Sequence, residues 1–132
     1  MIKKLFIAAA VFIAATGGQG DIAYAKQPTF TGIPNPPECV FGQDYVNQMA
    51  NNVKTYKPEE GRFKDEWIKL EPLEEMMTKG AYTIGSIQIA DYIGDLLSSG
   101  DIKPEEAGAL YNKICEENID PNSKEEPVSL ED

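Results

Sequence analysis

Asp91 and Asp95 are the carboxylates whose spacing could support chemistry, because they lie one helical turn apart in the stretch AYTIGSIQIADYIGDLLSSG. Two carboxylates at this separation can bind a cation or act as an acid and base pair. The sequence shows neither a second pair nor a cleft opposite this one. Because such pairs are common on helix surfaces, we expect Asp91 and Asp95 to belong to a solvated face.

The 132 residues contain no histidine. This absence removes the usual base from serine and cysteine nucleophilic arrangements, together with the commonest metal ligand. Gly80, Gly85 and Gly94 fall along a predicted helix, where they cannot form a phosphate-binding loop between a strand and a helix. We therefore predict a non-enzymatic protein with no catalytic residues, no metal site and no cofactor.

Two cysteines, Cys39 and Cys115, are the other residues with reactive side chains. A zinc site needs four ligands, and a redox-active pair usually has the close spacing C-x-x-C, so neither chemistry is favoured. In an oxidising compartment the two residues are expected to form a structural disulfide. The bridge would close a loop of 76 residues (115 − 39), which the chain-entropy model values at roughly 4–5 kcal/mol.

Residues 1–25 have the pattern of a cleaved secretory signal peptide. Lys3 and Lys4 precede an apolar run over residues 5–15, and Ala23–Ala25 provides a small-x-small cleavage site. The apolar run is shorter than the roughly 20 residues that a spanning helix needs. We expect a periplasmic or secreted protein of 107 residues (132 − 25) with no stable membrane insertion.

The net charge of the full chain is −10, and it becomes −11 once Lys3, Lys4 and Asp21 are removed. An acidic chain is repelled by nucleic acids and by anionic membranes, so both are excluded as partners. The charge is compatible with a basic protein partner, although plain solubility is the simpler explanation.

The stretch 81–119 predicts two amphipathic helices that pack as a hairpin. Gly100 is suited to end the first helix, and Pro104 with two acidic residues is suited to begin the second. The predicted buried residues are Tyr82, Ser86, Ile89, Ile93, Leu96 and Leu97 on the first helix and Ala107, Leu110, Tyr111, Ile114 and Cys115 on the second.

Two further helices are predicted before this hairpin. The first begins near Asp44, and its apolar face is formed by Tyr45, Val46, Met49, Val53 and Tyr56. The second has Phe63, Trp67 and Leu70 on its buried face and Lys69 on its outer face. Pro72 should kink this helix or divide it near Glu71.

These elements predict an all-α protein, a small up-and-down bundle of four or five helices with one disulfide. Residues 26–42 are rich in proline and should form an extended lead-in to a helical domain over residues 43–119. Residues 120–132 are acidic and poor in apolar side chains, which predicts a disordered tail.

Size, acidity, the disulfide and the missing catalytic groups favour an exported protein that binds another protein. Such a protein could be an inhibitor, an immunity-type protein or an accessory factor of secretion or conjugation. The alternative is a carrier of a lipid or another small apolar ligand, with a cavity between helices lined by residues such as Met49 and Met76. A carboxylate-only hydrolase is a third hypothesis. The candidate partner-binding residues are Asp91, Tyr92, Asp95, Glu105 and Glu106.

Overall fold

The computed structural model describes residues 27–58 and 63–129. The predicted signal peptide therefore lies outside the described residues. Within them, the all-α prediction is confirmed, and α2, α3, α4 and α5 pack together. No helix in these two ranges is both long and apolar enough to span a membrane. The elements in chain order are α1 (Glu38–Phe41), α2 (Gln43–Thr55), a π-helical segment (Glu66–Leu70) that continues into α3 (Glu71–Thr78), α4 (Ile84–Ser99), a 3₁₀ turn (Pro104–Glu106) and α5 (Ala107–Glu117).

Helix α4 is the central element of the bundle, and it contacts α2, α3 and α5. All the residues predicted to be buried on α4 and α5 are buried. Gly100 ends α4 with a positive φ of 84°, a backbone conformation that other residues adopt only with strain. The amide of Asp101 donates to the carbonyl of Leu96 at 2.9 Å, which completes the end of the helix. The hairpin prediction is therefore confirmed.

The predicted disulfide is present between Cys39 of α1 and Cys115 of α5. Both residues are buried in the hydrophobic core. The bridge joins positions 76 residues apart in the sequence, so it ties the first helix of the domain to the last.

In and just before the π-helical segment, three side chains depart from the predicted orientation, whereas Trp67 packs against the core as predicted. Phe63 and Leu70, predicted to be buried, are 76% and 51% exposed, whereas Ile68 is fully buried. Lys69, predicted to face solvent, has only 17% of its side chain exposed. A π-helix bonds i to i+5 and so has a wider turn than an α-helix, which rotates the following residues around the axis. The predicted 3.6-residue period is therefore wrong at Lys69 and Leu70, whereas Phe63 lies before the π-helical segment.

Pro72 lies where the π-helical segment meets α3, close to the predicted break at Glu71. Proline has no N–H, so it cannot donate to the Ile68 carbonyl four residues earlier. The side-chain amide of Asn52 on α2 donates to that carbonyl instead, with Nδ2 at 3.2 Å from the oxygen. The Nε1 of Trp67 in turn donates to the Asn52 carbonyl at 3.1 Å. These two bonds hold the irregular helix against α2.

The lead-in is extended up to its short helix, α1, which begins at Glu38 inside the range predicted to be irregular. Ile33 is fully buried and forms an isolated parallel bridge with Ile119. Its amide donates to the Asn118 carbonyl, and its carbonyl accepts from the amide of Asp120, both at 2.9 Å. The two ends of the described domain are therefore directly bonded to each other.

The tail also contacts the domain as far as the structure describes it. The hydroxyl of Ser123 donates to the Gly32 carbonyl at 2.9 Å, and the amide of Val128 donates to the Tyr82 carbonyl at 2.7 Å. Val128 packs against the core. Residues 120–129 thus follow a defined path over the bundle, whereas the sequence predicts disorder, because a single apolar anchor carries little weight in composition. Residues 130–132 lie outside the described residues.

Candidate functional site

The predicted pair on α4, Asp91 and Asp95, holds a cation that the chain itself supplies. The ammonium of Lys69 lies 2.8 Å from Asp91 Oδ1 and 2.5 Å from Asp95 Oδ1. The stem of Lys69 runs over Gly94, where an added Cβ would come within 2.5 Å of the lysine Cγ and Cδ. The missing side chain at Gly94 therefore serves close packing against α4.

Burial opposes the charge of Lys69, but the hydrogen bonds and charges of Asp91 and Asp95 outweigh it and raise the pKa of the ammonium. The lysine therefore stays charged. Tyr92, between the two carboxylates in sequence, packs edge-to-face on Phe30 of the lead-in, with ring centroids 5.7 Å apart. All three predicted partner-binding residues on α4 thus have partners within the domain.

The other two predicted residues, Glu105 and Glu106, lie in the 3₁₀ turn that begins α5. Glu105 Oε2 is 3.8 Å from the ammonium of Lys54 on α2, and both side chains are mostly exposed. Glu106 Oε1 accepts the backbone N–H of Lys103 at 2.8 Å, which satisfies a donor at the start of the helix. Glu106 thus secures a helix start, and Glu105 forms an exposed ion pair with α2.

A buried carboxylate that the sequence did not indicate lies at the other end of α4. Glu38 of α1 is only 2% exposed. Its Oε1 accepts the backbone N–H of Thr83 at 2.7 Å, the hydroxyl of Thr83 at 3.0 Å and the hydroxyl of Ser86 at 2.7 Å. Thr83 is the residue that precedes α4, so the carboxylate lies where the helix dipole favours negative charge. Glu38 thereby fastens α1 beneath the start of α4.

Two tyrosines, Tyr82 and Tyr111, lie close enough to Glu38 for its charge to act on them. The hydroxyl of Tyr111 on α5 lies 3.4 Å from the Glu38 carbonyl, to which it donates. Tyr82 stacks edge-to-face on Tyr45 of α2, with centroids 5.4 Å apart. Burial, aided by the charge of Glu38, raises the pKa of Tyr111. Burial and the hydrogen bond with Tyr45 raise the pKa of Tyr82.

An alkaline titration should reveal these two shifts. A raised pKa means that the folded protein retains both phenolic protons at pH values where the unfolded chain, with tyrosine pKa values near 10, has released them. The contribution of Tyr82 and Tyr111 to the free energy of unfolding is therefore fully present below pH 10 and falls as the pH rises above it. We expect tyrosinate absorbance to show two fewer ionised tyrosines in native than in urea-unfolded protein at pH 11. Equal ionisation in both states, with the helical circular dichroism unchanged, would contradict this assignment.

Helix α1 presents two apolar side chains to solvent. Its inner residues, Glu38 and Cys39, are buried by the carboxylate network and the disulfide. Its outer residues, Val40 and Phe41, are both 60% exposed. Gly42 then lies against Tyr111, whose hydroxyl oxygen would be 2.1 Å from any added Cβ, so only glycine permits this approach. We call Val40 and Phe41, with the backbone that carries them, the apolar turn.

The sequence contained a signal for this turn that the proline-rich composition obscured. Pro37 followed by Glu38 matches the pattern of a helix start, where proline loses no hydrogen bond and an acidic side chain complements the dipole. The amides of Cys39 and Val40 donate to the carbonyls of Pro36 and Pro37 at 2.9 and 3.0 Å. The orientation of the four residues of α1 is set by contacts with residues 45 to 76 positions later in the sequence. These contacts decide which two side chains face solvent.

No family model, curated protein or solved structure matches this chain. Its function is therefore argued from the geometry of its own residues. Of the surfaces described above, the acidic pairs have partners within the domain, and the buried carboxylate is closed to solvent. The apolar turn is held firmly on its inner side and is open on its outer side.

Proposed function

We propose that the protein is an exported, non-enzymatic module that binds another protein through the apolar turn. The observation that carries this proposal is the exposure of two adjacent large apolar side chains, Val40 and Phe41, on a turn whose other face is fixed. Contiguous exposed apolar patches, unlike scattered single residues, are a mark of interaction sites, and Val40 and Phe41 are neighbours. An inhibitor, an immunity-type protein and an accessory factor of secretion or conjugation all fit this description.

Rigidity is the property that makes the turn suitable for binding. The disulfide of Cys39 and the hydrogen bonds of Glu38 fix the backbone that carries Val40 and Phe41. Binding to a fixed turn costs less conformational entropy than binding to a loop that becomes ordered in the complex. More of the contact energy therefore appears as affinity. Apolar anchors of this kind account for most of the energy in many protein interfaces.

The net charge of −10 supports a basic partner. Long-range attraction between an acidic module and a basic surface speeds association and suppresses wrong partners, and salt weakens it. Because Asp91 and Asp95 are already paired with Lys69, we assign them to this general attraction and place the specific contact at the apolar turn.

The decisive experiment compares two surface variants in partner capture from the exported fraction of the native host at low salt. The double variant Val40→Ser with Phe41→Ser should lose at least about ten-fold in affinity for the captured protein, since each truncated anchor typically costs more than 1 kcal/mol. Phe63→Ser is the matched control, because Phe63 is even more exposed and belongs to the segment that packs on the other end of α2. The free energy of unfolding of both variants should lie within about 0.5 kcal/mol of the wild-type value.

Unchanged capture by the double variant, or equal loss in the Phe63→Ser control, would overturn the assignment of the apolar turn. Failure to recover any stoichiometric partner at low salt would overturn the proposal of protein binding. In that case the carrier hypothesis is the next to test, by native mass spectrometry of protein purified from its own host. No observation of the described residues favours the carrier, because Met49, Met76 and Ile89 are fully buried members of the packed core.

A further inference from the structure

A polar groove runs along the exposed face of α2 and the beginning of α3. It is an open surface groove with a volume of about 520 Å³. The residues that line it are four amides and two carboxylates: Asn47, Gln48, Asn51, Asn52, Asp44 and Glu71. The apolar turn is not part of it, and the function proposed above does not use it.

The asparagines of this groove are costly choices for the middle of a helix. Asparagine competes with helical hydrogen bonding through its own side chain and is among the weaker helix formers. Asn52 is explained by its bond to Ile68, and Asn47 by its close approach to Gly108 of α5. Asn51 is exposed, and no contact among the described residues accounts for it. A role in binding a ligand would account for it.

Two of the amides have their orientation fixed by the fold. Asn52 uses its Nδ2 to bond the Ile68 carbonyl, so its Oδ1 remains available as an acceptor. Gln48 uses its Nε2 to bond Glu75 Oε1 at 3.2 Å, so its Oε1 is also available. Asn47 and Asn51 add both donors and acceptors. The groove therefore offers acceptors in fixed positions beside groups that can both donate and accept.

We propose that this groove binds a neutral oligosaccharide. A sugar hydroxyl both donates and accepts, and amides and carboxylates together supply the complementary groups. The carboxylates Asp44 and Glu71 repel anions such as phosphates.

The test is a titration of the isotope-labelled full-length chain, followed through the side-chain amide resonances of asparagine and glutamine. The probes are chitotetraose, cellotetraose and spermine. We expect at least one of the two sugars to shift the resonances of Asn47, Gln48 and Asn51 saturably. Asn51→Ala should weaken this binding about five- to ten-fold, as expected for a lost hydrogen bond. It should also leave the fold intact, since alanine is the better helix former.

Asn122→Ala is the matched control, because Asn122 is an exposed amide in the tail, outside the groove. It should bind the sugar as wild type does. The proposal is overturned if neither sugar shifts the groove resonances, if only spermine shifts them, or if Asn122→Ala weakens binding as much as Asn51→Ala. Because none of these readouts involves a protein partner, this result is independent of the one for the apolar turn.

Discussion

Replacing Glu38 with alanine is expected to lower the free energy of unfolding by about 3–5 kcal/mol, because it leaves buried donors unpaired and opens a cavity. The backbone N–H and the hydroxyl of Thr83 donate to this one carboxylate, and the hydroxyl of Ser86 lies within hydrogen-bond distance of both the carboxylate and the Thr83 carbonyl. Thr83 is 2% exposed and Ser86 is fully buried, so water cannot replace the lost acceptor. Urea denaturation followed by circular dichroism measures the change.

Two matched variants serve as controls for this prediction. Glu38→Gln keeps one oxygen that can accept from Thr83 and Ser86, so it should cost clearly less than alanine, about 1–2 kcal/mol. Glu116→Ala removes an exposed glutamate from α5 and should stay within about 0.5 kcal/mol of wild type. If Glu38→Ala costs no more than Glu116→Ala, Glu38 does not fasten α1 to α4 in the way described.

Removing the disulfide with Cys39→Ala and Cys115→Ala is expected to cost roughly 4–5 kcal/mol. The bridge closes a loop of 76 residues, and loss of this constraint increases the entropy of the unfolded chain. Small domains are stable by only about 5–15 kcal/mol in total, so the double variant should be unfolded to a measurable extent at physiological temperature. Alanine is the suitable replacement, because both positions are buried and serine would place an unpaired hydroxyl there.

The denaturant midpoint of the double variant, measured beside oxidised wild type, tests this expectation. A thiol assay under non-reducing, denaturing conditions is the accompanying control, and it should find no free thiol in the wild-type protein. An unchanged midpoint would show that packing alone holds α1 on α5. Two titratable thiols in protein isolated from its native host would show that the bridge does not form there.

The helical hairpin could be predicted from the sequence because each of its signals is local. The buried positions of α4 and α5 repeat with the helical period, and Gly100 and Pro104 mark the turn between them. The disulfide could be predicted because two cysteines allow only one pairing within the chain. The hairpin can thus be predicted from residues that are close together in the sequence, and the disulfide from the number of cysteines.

The features that could not be predicted depend on distant partners. Glu38 resembles any exposed glutamate until α4 brings Thr83 and Ser86 to it from 45 and 48 residues away. The exposure of Leu70 goes with the π-helical segment, and periodicity cannot show a change of helical period over five residues. The apolar turn could not be predicted because it lies in a proline-rich stretch and is positioned by long-range contacts.

The pairing of Ile33 with Ile119, described with the fold, has a consequence for biogenesis. The bonds of Ile33 to Asn118 and Asp120 join the opposite edges of the domain, so a nascent chain cannot acquire them until α5 has left the ribosome. Contacts of such high sequence separation form late, because a long loop must first be closed. We expect these bonds to be among the last to form, so a nascent chain that still lacks α5 should remain sensitive to protease.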